Sequence, residues 1–395
     1  MEEEKKDINI KRKISIRKKV LIAIICIFVI TSIIIFSLYI AEKDFRNWID
    51  LNLLRKNVTT NDVPTIDLDI NKSNQICVYS KYIALLNEKK IVLYNSYGEK
   101  ISEFSVDINN AIFDSSNKYL AVAENGGKNL YLLQDTTYLW SGSISGEIKQ
   151  IHVNQNGYVG VVTTDSTYKA IVTLYSPEGK EMFKKYLSST RVIDISISKD
   201  NKYLALAEVD TSGTLIQSNV EVVSIESATS NKEDAKVYYY SADKGKLITK
   251  IKYQDKNKIV CMYDSSIQII TNHQESEKIL LENSNITYAS VNLSNCYIYV
   301  EEEITGIFKS NSILHINSTI SQSKQENTYH LDEVAKEVYT YENVIAVNVG
   351  SDVYFINENG WLIKKFSSKQ EITNVSFSNN LAAVIYKDRI EIINL

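Results

Sequence analysis

AIFDSSNKYLAVAENGGKNLYLLQ, residues Ala111–Gln134, is answered further along by DISISKDNKYLALAEVD, residues Asp194–Asp210. Each copy has a β-prone run, a polar turn around Asn-Lys and a second apolar run, YLAVAE or YLALAE, leading to a further strand. An abbreviated version, NVSFSNNLAAVIYKDRIEIINL, closes the chain. That order of runs predicts a four-stranded propeller blade, one strand after another.

A second pair supports the same unit. QICVYSKYIALLNEKKIVLYNSYGEKISEF from Gln75 lines up with EVYTYENVIAVNVGSDVYFINENGWLIKKF from Glu337, with three strand-like runs and a Gly-containing turn in register. Asn359-Gly360 is a strong hairpin signal, and Tyr97-Gly98 and Glu178-Gly179 occupy similar turns. These landmarks place modules near residues 74, 107, 148, 191, 247, 285, 335 and 370. The mean repeat is about 42 residues, the length of a propeller blade. The expectation is an all-β, eight-bladed β-propeller over residues 62–395, with seven blades as the runner-up and a β-sandwich pair or β-helix as the structural alternative. The last module stops at IEIINL, one strand short, and the early segment PTIDLDI supplies the missing outer strand. Such closure removes the open edge of a linear array.

The YLAVAE and YLALAE runs after SSNK and SKDNK resemble the repeats of quinoprotein-like and WD-type bacterial propellers. With its N-terminal apolar run, the chain also resembles an uncharacterised clostridial family of single-pass membrane proteins with an exterior propeller. The resemblance implies the fold and carries little about activity.

That apolar run, VLIAIICIFVITSIIIFSLYI at Val20–Ile40, would span about 30 Å as a helix, the hydrocarbon thickness of a bilayer. It divides the chain into a cytoplasmic basic tail (1–19), a transmembrane helix (20–41), a juxtamembrane connector (42–61) and the extracytoplasmic domain (62–395). Eight Lys and Arg against four acidic residues give the tail a net charge of +4, and the positive-inside rule places it in the cytoplasm. Taking +4 from the chain's −4 leaves −8 on the rest, no invitation to nucleic acid. A cleaved signal peptide is the rival reading, but Tyr39 stands where cleavage after Ala41 needs a small residue. The connector carries Phe45, Trp48 and Ile49 among charges and is expected to end near Pro64.

Motifs for chemistry are sparse. There is no GxSxG turn for a nucleophilic serine, and Cys77, Cys261 and Cys296 each sit among apolar neighbours, as buried, reduced strand residues do. A Cys261–Cys296 bridge is the minor alternative. His152, His273, His315 and His330 occur singly, without the close spacing of a zinc motif, and Glu301–Glu303 reads as a solvated loop. Beyond Trp48 only Trp140 and Trp361 remain, too few for the repeated docking signature of quinoprotein enzymes. Glycosidase chemistry needs two converging carboxylates, and the sequence does not single out a pair among Asp165, Asp194, Asp264 and Asp352. The expectation is therefore no enzyme, no cofactor, no metal and no nucleic acid.

Tyrosine is abundant, at 26 residues, and strand packing accounts for most of it. The run Tyr238, Tyr239 and Tyr240 is the best candidate for partner binding, because a tyrosine offers apolar area with a hydroxyl. The function expected is a membrane-anchored scaffold or adaptor that binds an envelope or membrane protein. A sensor of cell-wall glycan or a small solute is the first alternative, and a propeller enzyme the second.

Overall fold

The computed structural model describes residues 16–41, 45, 49, 63–231, 235–281, 283–306, 309–320 and 326–395. The chain divides into two compact units, Met1–Lys56 and Asn57–Leu395. In the first, Ile16–Ala41 form one helix, α1, which begins four residues earlier than the apolar run and takes in Arg17, Lys18 and Lys19. Val20–Ala41 is long and apolar enough to cross a membrane, and its side chains are exposed around the whole circumference. A helix apolar on every side requires an apolar surround, which suits a transmembrane anchor or a signal sequence. The tail before Ile16 and most of the connector, Trp48 included, lie outside the described residues.

In the second unit the repeats fold into eight four-stranded antiparallel sheets. In chain order the blades span Gln75–Ser105, Ala111–Ser143, Glu147–Leu187, Arg191–Ser241, Ile248–Leu280, Ile286–His330, Glu337–Ser367 and Asn374–Asn394. The eighth borrows its outermost strand, β1 (Thr65–Asp67), from the start of the domain. Thr65 pairs with Glu391 and Asp67 with Arg389, and the Ile392 N–H donates to the Pro64 carbonyl. The eight-bladed expectation and the closing role of PTIDLDI are both borne out.

The repeat sequence explains how neighbouring blades pack. Side chains alternate across a strand, so a second strand reading YLAVAE sends Leu120 and Val122 to one face and Ala121 and Ala123 to the other. Leu120 and Val122 pack against the preceding blade, the two alanines against the following one. YLALAE repeats the division, with Leu204 and Leu206 facing the third blade and Ala205 and Ala207 the fifth. Large-against-small faces let adjacent sheets approach closely. Eight hydrophobic clusters result, one at each seam, and the cluster joining the eighth blade to the first contains Ile66 of β1 with Ile83 and Ile390. Each buried Leu, Ile or Phe contributes about 1.5–3 kcal/mol relative to exposure, so the seams dominate the favourable side of folding.

The turns follow their residues. The shared Asn-Lys turn needs one residue in the left-handed region, which asparagine tolerates, and Asn117 (φ 53°) and Asn201 (φ 61°) supply it. Gly360 closes its hairpin at φ 76°, where the Asn357 side chain accepts the N–H groups of Asn359 and Trp361. One expectation needs adjustment. Glu301–Glu303 belong to a long strand, Cys296–Gly306, rather than a loop, because the facing strand Lys309–Ser318 extends with it as one hairpin. The insertion after Ser224 opens with a single helical turn, α2 (Ile225–Thr229), whose Ser224 cap accepts the Ser227 N–H.

Candidate functional site

The innermost strands of the blades run around a central channel and are stitched together by side chains. Gln75 accepts the Ala111 N–H at 2.7 Å, Asp114 that of Val153 at 2.6 Å, Asp194 that of Ile251 at 2.9 Å, Ser196 that of Tyr253 at 2.9 Å and Ser376 that of Val78 at 2.9 Å. Each bond crosses from one blade to the next. A backbone donor freed at the inner edge of a sheet is thereby satisfied without narrowing the axis.

At the end of the channel where the innermost strands turn outward lies a cavity of about 180 Å³, lined by residues from seven of the eight blades. Its wall is polar and charged. Asp114 Oδ2 lies 3.3 Å from His152 Nδ1. Burial opposes ionisation of Asp114, but the His152 contact, the Val153 N–H and the charge of Lys250 overcome it and hold the carboxyl below its usual range. The Lys250 ammonium stands 3.3 Å from the buried Asp194 carboxylate, which also accepts from Gln150. The Glu342 carboxylate is taken by the Ser294 hydroxyl at 2.6 Å. Each of these three carboxylates thus has a partner within the protein. Lys199 and Lys252, in contrast, line the cavity with no carboxylate partner among the described residues.

Two further groups shape this cavity. Tyr341 of the seventh blade meets the Ser115 hydroxyl and the Asn117 backbone of the second, so its ring spans the channel, and burial raises its phenol. Cys77 also faces the cavity and is half-buried rather than fully buried as its neighbours suggested. Desolvation, then the nearby Asp114 charge, pushes its thiol up to about 12, which leaves it protonated and unreactive. Cys261 and Cys296 are buried and free, as read from the sequence.

The tyrosine run lies elsewhere, on the outermost strand of the fourth blade, Lys236–Ser241. Strand alternation separates its members. Tyr238 and Tyr240 pack toward the fifth blade, where Tyr238 donates to Glu275 and its ring stacks on His273. Tyr239 points the other way, exposed, with the Lys236 ammonium 4.9 Å from its ring centre. Behind it, between the third and fourth blades, two buried carboxyls share one lysine. Lys185 Nζ is 2.8 Å from Glu221, and Thr190 donates to Glu208 at 2.8 Å. Desolvation chiefly, reinforced by the Glu221 charge, pushes the Glu208 carboxyl up to about 7.

Asp165, Asp194, Asp264 and Asp352 fall in four different blades, and of these only Asp194 stands on an innermost strand. His315 stacks on Tyr299 and meets Glu326 at 2.8 Å. Among the described residues, no group of three or more His, Cys, Asp or Glu side chains is placed to hold a metal ion. The sequence singled out His152 only as a lone histidine and did not single out Asp114, Lys199, Lys250 or Lys252. All lie in or just after the first strand of a repeat, and the repeat register was the signal that places them on the axis.

Residues 55–395 match the DUF5711 family, a family of unknown function. The chain belongs to this family. No curated protein matches it in sequence. Among solved structures, the second unit resembles the C-terminal WD40 domain of Sif2, at 12% identity and a TM-score of 0.56, over 85% of this chain and 99% of that one. It is similar to Chaetomium thermophilum Sqt1 bound to the N-terminus of ribosomal protein L10, at 11% identity and a TM-score of 0.50, over 81% and 95% of the two chains. Apo AztD from Citrobacter koseri follows at 9% identity and 0.47, over 79% and 94%. At these identities the likeness shows the fold, a WD40-like β-propeller, and no activity passes with it.

Proposed function

We propose that this family member is a non-enzymatic scaffold or adaptor, held by α1 in the cytoplasmic membrane with its N-terminus inside. Its propeller, outside, binds a membrane or envelope protein. The observation that carries the reading is the outer rim. The outermost strands of five consecutive blades each expose a large apolar side chain: Ile101, Tyr138, Tyr186, Tyr239 and Leu280. Each of these strands is paired on one side only, so its free backbone edge can accept an added strand while the exposed side chains supply apolar area. The anchor supports the reading by confining the rim to the surface where a membrane partner is concentrated. In Sqt1, a propeller of similar fold, a protein segment is the bound partner.

The test is affinity capture of the full chain after crosslinking in intact cells. A chain carrying Tyr186→Asp, Tyr239→Asp and Leu280→Asp and an anchor-only chain serve as controls. A membrane or envelope protein recovered with the wild type and lost from both controls supports the rim. Equal recovery from the triple variant removes it. The axial cavity favours a second reading, a small-solute sensor, because it is concave, polar and supplied with uncommitted donors.

A further inference from the structure

We infer that the axial cavity binds a small solute carrying an oxyanion, a carboxylate or a phosphate, gripped by Lys252 and Lys199. This rests on the small-solute reading and names its ligand class.

Three lysines face the cavity, and only Lys250 has a carboxylate, Asp194, to answer it. Asp114 is engaged by His152 and the Val153 N–H, and Glu342 by Ser294, and neither of these carboxylates stands in ion-pair contact with Lys252 or Lys199. Lys252 comes from the innermost strand of the fifth blade and Lys199 from the turn after that of the fourth, both half-buried. An ammonium withdrawn from bulk water without a counter-charge is unfavourable, and an anion seated between two of them relieves both. Asn154 and Asn292 line the same wall, each amide donating one hydrogen, to Asn201 and to the Thr340 carbonyl, and keeping a second. Tyr341, braced across the channel, keeps the space narrow.

Size limits the ligand. A cavity of about 180 Å³ suits a small solute.

The experiment is calorimetric titration of the full chain in detergent micelles with succinate, acetate, inorganic phosphate and glucose, at ionic strength held constant with sodium chloride. Succinate or phosphate, or both, bind, and their comparison separates the two oxyanion sources. Lys252→Gln weakens that binding about ten-fold or more, whereas Lys252→Arg keeps it within about three-fold. Raising chloride weakens binding to the unmodified chain as well, which decides the matter if the glutamine variant fails to fold. Glucose binding without any oxyanion binding would overturn the ligand class and leave a solute site. Binding of none of the four would overturn the inference and count against the solute reading. Anion binding unchanged in a folded Lys252→Gln chain would move the site elsewhere and overturn the assignment.

Discussion

Glu208 and Glu221 show how much a single buried side chain decides in this fold. They lie on adjacent strands of the fourth blade with only Lys185 between them and full charge, and the Glu208 carboxyl, pushed to about 7 by burial and by its neighbour, holds its proton in the folded state. In the unfolded chain a glutamate keeps its usual value, about 4.3. Between these values the folded state binds a proton that the unfolded state does not, so stability falls as pH rises from about 4.3 through about 7. Glu208→Gln keeps an acceptor for the Thr190 hydroxyl and removes the charge. The variant is expected to be more stable than the wild type by about 1–3 kcal/mol near pH 8 and to match it near pH 5, as read by urea unfolding at both pH values. Gly157 offers a test of the opposite sign. It sits at φ 83°, and an added Cβ would come within 2.7 Å of the Tyr119 ring on the neighbouring blade. Gly157→Ala is expected to destabilise the propeller by about 1–3 kcal/mol, from strain and the shifted ring together, measured in the same unfolding assay.

Elements were legible where a residue type enforces a backbone shape. Asn-Lys and Asn-Gly turns require the left-handed conformation, and alternating Leu and Ala require a sheet with two packed faces, so strands and blade limits follow from the sequence. The axial wall was not legible, because Asp114, His152 and Lys252 are ordinary strand residues until the ring brings separate blades around one axis. Nor does a sequence disclose how well each seam is filled. Among the described residues, the seam between the fifth and sixth blades has five buried members in its cluster, against at least ten at every other seam. Polar links take up part of its load, with Gln254 donating to the Cys296 carbonyl at 2.7 Å and accepting from Thr319 at 2.6 Å. Fewer buried apolar contacts mean a lower cost of local opening. Hydrogen exchange is therefore expected to be faster in Ser266–Thr271 and Ile286–Ser290 than in the equivalent strands of the second and third blades, and uniform protection around the ring would refute this.

At the scale of the molecule, two segments that precede the repeats govern the whole. Ring closure depends on three residues of β1, and Ile66, buried among Ile83, Ile390 and Ile392, fastens them. Ile66→Ala is expected to cost about 2–4 kcal/mol and to expose the edge of the eighth blade, seen as early proteolysis near the C-terminus. The second feature is α1. With a retained anchor and an exterior propeller, protease added to intact cells stripped of their wall digests the propeller, while the membrane-bound chain keeps its original N-terminus. A mature chain starting near residue 42 would identify a cleaved signal instead. The apolar helix and the blades could both be read from sequence, since each is written in hydrophobic pattern. Which part of the ring meets a partner could not, because exposure is fixed only once the blades are assembled. The most direct measurement places a photo-crosslinking residue at Tyr186, Tyr239 or Leu280 on the rim, and at Lys81 on a face turn, in the full chain within intact cells. An adduct with one membrane or envelope protein from the rim positions and not from Lys81 is the predicted result, and adducts from Lys81 alone, or from none of the four, would contradict an adaptor that works through its rim.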